Sequence, residues 1–166
     1  MLNLRLIPQM IPDATTVGVF VSPQSAAWLP KVRAEAQQLK LRLDEIAATN
    51  DEEAVRKLRI RISDLDAVLL PPELSIINAW SLKPILLMSA RHRVPAFGGL
   101  TEDYVKAGVM AAVVLDLNRL HEQIDTFTER LLQGKVPEPA YPDASHVVIN
   151  ELVAHAMSIN IDQIDQ

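Results

Sequence analysis

The sequence predicts an α/β fold in which helices cover both faces of a parallel sheet. Two observations lead to this prediction: short apolar runs alternate with segments of helical periodicity, and the runs are apolar throughout. Strands that are apolar throughout are buried on both faces, which is typical of parallel sheets. The 166 residues are enough for one domain with a sizeable core.

Five segments are predicted as strands of this sheet: residues 15–21, 43–47, 66–70, 94–97 and 109–115. Right-handed crossovers and the chain length favour a doubly wound sheet in the flavodoxin-like strand order 2-1-3-4-5. The helices between the strands are predicted from their apolar spacing and end signals. They cover residues 24–41 (starting near Ala27), a segment from residue 51 onward, 102–107 and 117–133.

The segment after the third strand contains Pro84. In the middle of one long helix this proline would remove a hydrogen bond and clash with the carbonyl group of Trp80. We therefore predict a short helical turn over residues 73–79 and a new helix over residues 82–92. Ser81 would cap the new helix, which places Pro84 in its first turn.

The pattern changes after Gly134. Residues 135–145, KVPEPAYPDAS, contain three prolines and no periodicity, so they are predicted as an extended connector. A sixth strand over residues 146–149 and a helix from about Glu151 follow. We therefore divide the chain into an α/β lobe, residues 1–134, and a connector with a C-terminal strand-helix extension, residues 135–166.

Composition excludes several function classes. A formal charge of −5, no basic tract and only 4% aromatic residues argue against nucleic acid as a partner. The absence of cysteine excludes disulfides, thiolate metal sites and a cysteine nucleophile. The four histidines lack metal-ligand spacing, so neither a metal nor a cofactor is predicted. The N-terminus lacks the pattern of a signal peptide, and no apolar run is long enough to span a bilayer.

Candidate ligand-binding residues follow the first, third and fourth strands, whose carboxyl ends meet at one edge of a parallel sheet. The candidates are Ser22, Gln24, Ser25, Pro72, Glu73, Ser75, Gly98, Gly99 and Thr101.

Each group of candidates also has a purely structural interpretation. The hydroxyl groups of Ser22 and Ser25 can hold an anion, or a serine here can cap a helix. Glu73 can bind a ligand amine, or favour the start of a helix. The glycine pair can let the backbone approach a ligand, or form a tight turn. Trp28 and Trp80 can pack against a ligand, although burial in the core is the commoner fate of tryptophan.

Four segments in order resemble the second lobe of type I periplasmic substrate-binding proteins of ABC transporters. They are MIPDATTVGVFVSP, LDAVLLPPE, SLKPILLMSARHRVPAFGGLTEDYVKAGVMAAVVLD and YPDASHVVINELVAHAM. The resemblance implies a non-catalytic lobe that binds a small molecule, with an amino acid or a small carboxylate as candidate ligands. It further implies a periplasmic or membrane-anchored extracytoplasmic location and, for an exported protein, an ABC transporter permease as partner.

Relative to that family, the chain carries the second lobe and the closing segment only. The alternative is an extracytoplasmic sensory or protein-interaction domain built on the same half-fold. A small flavodoxin-like enzyme is a third hypothesis. In the family the closing segment joins the other lobe, so residues 146–149 are expected to present an apolar strand edge. We therefore predict a homodimer through the C-terminal segment. Folding of the segment onto its own sheet is the alternative.

Overall fold

The computed structural model describes residues 2–99, 101–138, 140, 142 and 144–161. Six strands form a single sheet in the order β2-β1-β3-β4-β5-β6. The first five are parallel, as predicted, and β6 is antiparallel to β5 at the edge of the sheet. The strands are β1 (Thr16–Val21), β2 (Arg42–Ala47), β3 (Ala67–Leu70), β4 (Ala96–Gly98), β5 (Ala111–Leu115) and β6 (Ser145–Ile149).

Seven α-helices surround the sheet in the described part of the chain. They are α1 (Leu2–Met10), α2 (Leu29–Gln38), α3 (Asp51–Arg61), α4 (Ala79–His92), α5 (Glu102–Ala107), α6 (Leu117–Leu132) and α7 (Glu151–Ala156). The predicted first helix is divided in two, because Pro23–Ala27 forms a separate 3₁₀ turn before α2 begins.

The sequence analysis did not predict α1. Four of its residues are fully or almost fully buried: Leu4, Leu6, Ile7 and Met10. The helix packs against β4 and β5, and the backbone amide of Val113 donates to the side chain of Asn3 at 2.6 Å. Pro8 inside the segment weakened the helical signal, and burial against the sheet outweighs this local penalty.

The prediction for the segment around Pro84 was wrong. Helix α4 begins at Ala79, and its N-cap is Asn78, whose side chain accepts hydrogen bonds from two backbone amides of the first turn. Ser81 is the reciprocal member of this capping box, because its hydroxyl accepts from the backbone amide of Asn78 at 3.0 Å. Pro84 therefore lies in the second turn, and the predicted helical turn over residues 73–79 is a hydrogen-bonded turn at Glu73.

The core consists of two layers on opposite faces of the sheet. One layer contains α1, α2 and α7, represented by Ile7, Val32 and Ala154, and the other contains α3 and α4, represented by Leu58 and Ile85. Helix α6 contributes no buried residue to either layer.

The C-terminal segment folds back onto its own lobe. Ile149 pairs with Ala111 and Ser145 with Leu115, so β6 covers the edge of β5 along its length. The expectation that this strand lacks a sheet in its own chain is therefore wrong, and the alternative is confirmed. The homodimer through this segment stays a prediction, but it no longer rests on a strand that lacks a sheet in its own chain. The division of the chain at residue 134 also stays a prediction.

Candidate ligand-binding edge

The loops after β1 and β3 are in direct contact at the carboxyl edge of the sheet. The Ser22 hydroxyl donates to Glu73 at 2.6 Å, and the Ser75 hydroxyl lies 3.4 Å from the side-chain oxygen of Gln24. The loop after β4 begins beside them, because Gly98 is paired with Leu70 at the end of β3. The candidate residues therefore lie at one edge, as the parallel topology predicted. Leu100 lies outside the described residues.

Glu73 is the centre of the contacts between these loops. Glu73 is 7% exposed, and its carboxylate accepts three hydrogen bonds from neutral side chains. Ser22 donates to Oε2 at 2.6 Å, while Ser25 and the indole nitrogen of Trp28 donate to Oε1 at 2.6 and 2.9 Å. Glu73 thus connects the loop after β1 with the loop after β3.

The two serines also cap the 3₁₀ turn that follows β1. Ser22 Oγ accepts from the backbone amide of Gln24 at 3.0 Å, and Ser25 Oγ accepts from the backbone amide of Ser22 at 2.9 Å. This supports the capping interpretation of Ser22. Ser25 is fully buried, so its hydroxyl is not accessible from this edge.

The two glycines of the fourth loop are required by the packing of the protein itself. Gly98 has φ +100°, and a Cβ atom there would lie 2.8 Å from the carbonyl oxygen of Leu70. Gly99 has φ +120°, and a Cβ atom there would lie 2.6 Å from the side chain of Tyr104. Both positions therefore favour glycine even without a ligand.

The exposed candidates at this edge are Gln24, Pro72, Ser75 and Thr101. Two large apolar side chains are also exposed nearby in sequence: Leu74, at 66%, and Trp80, at 85%. The expectation of a buried core position is therefore wrong for Trp80, whereas Trp28 is half-buried.

Glu53 fixes the adjacent loop after β2. Its carboxylate accepts from Lys57 at 2.6 Å and from the amide and hydroxyl of Thr49, both at 2.9 Å. The bond to Lys57 is the largest influence on Glu53, followed by those to Thr49, and together they lower its pKa from 4.5 to about 2. Lys57 also donates to the carbonyl oxygen of Ala47 at 2.6 Å.

A mainly apolar groove lies elsewhere, between α4, the end of α5 and α7. It has a volume of about 550 Å³, and its lining includes Leu82, Leu86, Gly108, Val153 and Met157. The lining is mainly apolar, and the hydroxyl of Ser89 is already donated to the carbonyl oxygen of Val94. A ligand site needs several convergent polar groups, which the carboxyl edge offers and this groove does not.

The family of this chain is shown by a match to a known protein family. A family model described as ABC transporter substrate binding protein matches residues 3–164. The chain belongs to this family. The resemblance stated from the four sequence segments is thereby confirmed. None of the curated protein sequences compared with the chain is significantly similar to it.

Solved structures with the same fold include several binding proteins. A substrate-binding protein with adhesive properties from Clostridium difficile, in an open ligand-free form, has a TM-score of 0.79 at 17% identity. An ABC domain from Streptococcus pneumonia in complex with L-Trp has a TM-score of 0.77 at 21% identity. A conserved domain protein from Vibrio cholerae has a TM-score of 0.77 at 19% identity. The matches cover 96–98% of this chain but only 55–56% of those proteins.

Neither a metal-ligand group nor a membrane-spanning helix is found in the described part of the chain. Among the described residues, no three His, Cys, Asp or Glu side chains come together in a group that could hold a metal ion. No helix in the described ranges is both long and apolar enough to cross a lipid bilayer.

Proposed function

We propose that this chain is a non-catalytic solute-binding lobe that receives a small molecule at the carboxyl edge of its sheet. The observation that carries the proposal is the convergence of the loops after β1, β3 and β4 in a chain that matches the substrate-binding family over residues 3–164. The exposed polar groups of Gln24, Ser75 and Thr101, together with the exposed Leu74 next to Ser75 in the chain, offer the mixture of polar and apolar contacts that small molecules require.

Binding proteins of this family hold the ligand in a cleft between two lobes. The relatives of known structure are almost twice as long as this chain, so we propose that it supplies one side of such a cleft. One relative was solved with L-Trp, which makes amino acids and small carboxylates reasonable first ligands to test. Family membership also supports an extracytoplasmic location and an ABC transporter permease as partner.

The test is a screen of amino acids and small carboxylates followed by amide NMR shifts of the full chain. We expect weak binding, because one lobe provides only part of the contacts, with shifts at residues 22–25, 72–75 and 97–101. Gln24→Ala should weaken binding several-fold, whereas Thr128→Val, on the exposed surface of α6, should leave it unchanged. Shifts confined to the groove beside α4 and α7 would contradict the proposed edge. Tight binding would contradict the proposal that this chain supplies only one side of the cleft.

A sensory or protein-interaction domain is the second candidate function. Helix α6 supports it, because Leu117, Ile124 and Leu131 are 60%, 49% and 54% exposed along one side of an amphipathic helix. Ligand-induced shifts at the carboxyl edge would favour solute binding, and their absence together with shifts of α6 on adding a partner would favour this alternative. A flavin spectrum in the purified protein would instead revive the enzyme hypothesis.

A further inference from the structure

We infer that the carboxyl edge of this lobe accepts a cationic or hydrogen-bond-donating group of the ligand, such as an ammonium group, and disfavours a carboxylate. The inference rests on the proposed function, because it names the chemistry of the group that this edge would receive. It argues against one of the two interpretations that the sequence left open, in which the serine hydroxyls hold an anion.

The serine hydroxyl protons at this edge are already donated within the protein. A serine hydroxyl has one proton to donate, and Ser22 and Ser25 both donate theirs to Glu73. The indole N–H of Trp28 is donated to the same carboxylate. Three side-chain donors that could have held an anion are therefore already used. The half-exposed Ser22 offers the ligand only a lone pair, which accepts a hydrogen bond.

Glu73 carries a negative charge that no neighbouring cation in the described part of the chain balances. The residue is 7% exposed, and the hydrogen-bond partners of its carboxylate are neutral. No described residue forms an ion pair with it. A buried charge that lacks a counter-charge attracts a cation and repels an anion, and the effect grows when a ligand or a second lobe displaces water from the edge.

One lysine close to Ser22 has its charge directed elsewhere. Lys57 lines the same groove as Ser22, but its ammonium group binds Glu53 and the carbonyl oxygen of Ala47, each at 2.6 Å. Lys57 therefore does not make the charge of this groove positive.

Glu73→Gln is the decisive variant. The amide oxygen can still accept from Ser25 and Trp28, and the amide nitrogen can donate to Ser22. The hydroxyl of Ser22 then becomes free to donate to a ligand, and the negative charge is lost. Glu129→Gln, on the exposed surface of α6, removes one charge without touching the edge and is the matched control.

The first measurement determines the sign of the electrostatic potential at the edge in the absence of a ligand. Two small nitroxides that differ only in an ammonium or a carboxylate group are added to the full chain, and amide relaxation is compared. We expect the amides of residues 22, 24, 25 and 73–75 to relax at least twice as fast with the cation as with the anion, relative to Gly108 at the opposite edge. Glu73→Gln should abolish this excess, and Glu129→Gln should retain it. An equal or reversed ratio in the unmodified chain would overturn the inference while leaving the proposed function intact.

The second measurement uses two indole ligands, tryptamine and indole-3-propionate, which carry the cation and the carboxylate separately. At the edge, tryptamine should bind about tenfold more tightly than indole-3-propionate, and Glu73→Gln should remove the difference. Thermal melting by circular dichroism establishes that the variant is folded. Binding of both at the edge without discrimination, or tighter binding of the carboxylate, overturns the inference alone. Binding of both away from the edge overturns the inference and the proposed edge together.

Discussion

At the scale of single residues, Gly98 shows how a loop that resembles a ligand site can be required by packing. The residue is buried, and its backbone conformation leaves no room for a side chain beside the carbonyl oxygen of Leu70. A ligand at the same edge would add a second reason for glycine without replacing the first.

Gly98→Ala should lower the free energy of unfolding by about 2–3 kcal/mol, because a positive φ and a clash with rigid backbone act together. Gly134→Ala is the matched control. Gly134 also has a positive φ, +76°, but nothing lies within 4 Å of the added methyl group. Its cost should be about 1 kcal/mol. Urea unfolding measures both, and equal losses would show that the contact with Leu70 has no energetic effect.

The sequence predicted some residue roles and missed others for a physical reason. The capping role of Ser22 depends on neighbours two and three residues away, so a local pattern reveals it. The bonds from Trp28 and Ser25 to Glu73 join residues more than 40 positions apart, and no local periodicity encodes them. An acidic residue directly after a buried strand was the available signal, and it permitted several interpretations.

At the scale of elements, local rules worked where they agreed with packing. The acidic first turn of α3 and the end of α6 before Gly134 followed from end signals alone. Pro84 misled the prediction of α4, because the strong cap at Asn78 starts the helix one turn earlier and outweighs one lost hydrogen bond. The sequence could not assign strand β6 to a sheet, because the sequence of an edge strand does not show which strand it pairs with.

The attachment of β6 and α7 depends on Asn150. Its side-chain nitrogen donates to the carbonyl oxygen of Val105 at 2.7 Å, and its side-chain oxygen caps α7 by accepting from Val153 at 3.0 Å. Asn150→Ala removes both bonds and should cost about 2 kcal/mol of stability. Asn150→Asp keeps the cap but replaces the donor with an oxygen that faces the carbonyl oxygen of Val105, so it should also lose stability.

Hydrogen exchange measures where this loss occurs. Amides of β6 and α7 should exchange faster in Asn150→Ala, while β1 and β3 change only as far as global stability does. Asn118→Ala, at an exposed position in α6, is the control and should leave all these rates unchanged. Unchanged exchange of β6 in the alanine variant would show that strand pairing alone holds the segment.

At the scale of the whole molecule, carboxylates fix both edges of the sheet. Glu53 holds the loop after β2 at the carboxyl edge, and Asp66 accepts three hydrogen bonds from Thr15 and Thr16 at the amino edge. Burial raises the pKa of Asp66, but these bonds and the charge of Arg42 outweigh burial, and the net pKa is lowered. Each carboxylate therefore holds its proton less tightly in the folded protein than in the unfolded chain.

The sign of the resulting pH dependence follows directly. A lowered pKa in the folded state contributes stability that is complete above the ordinary pKa and is lost as the pH falls through the folded value. For Glu53 this window runs from 4.5 down to about 2, and the contribution of Asp66 is lost below its ordinary value of 3.8.

We expect the melting temperature to fall steeply between these limits. Glu53→Gln and Asp66→Asn should each flatten that fall, and their effects should add because they act at opposite edges. Thermal melts between pH 6 and 2 test this, with Glu129→Gln as the control that retains the original profile. An unchanged slope in the double variant would mean that other groups cause the acid sensitivity.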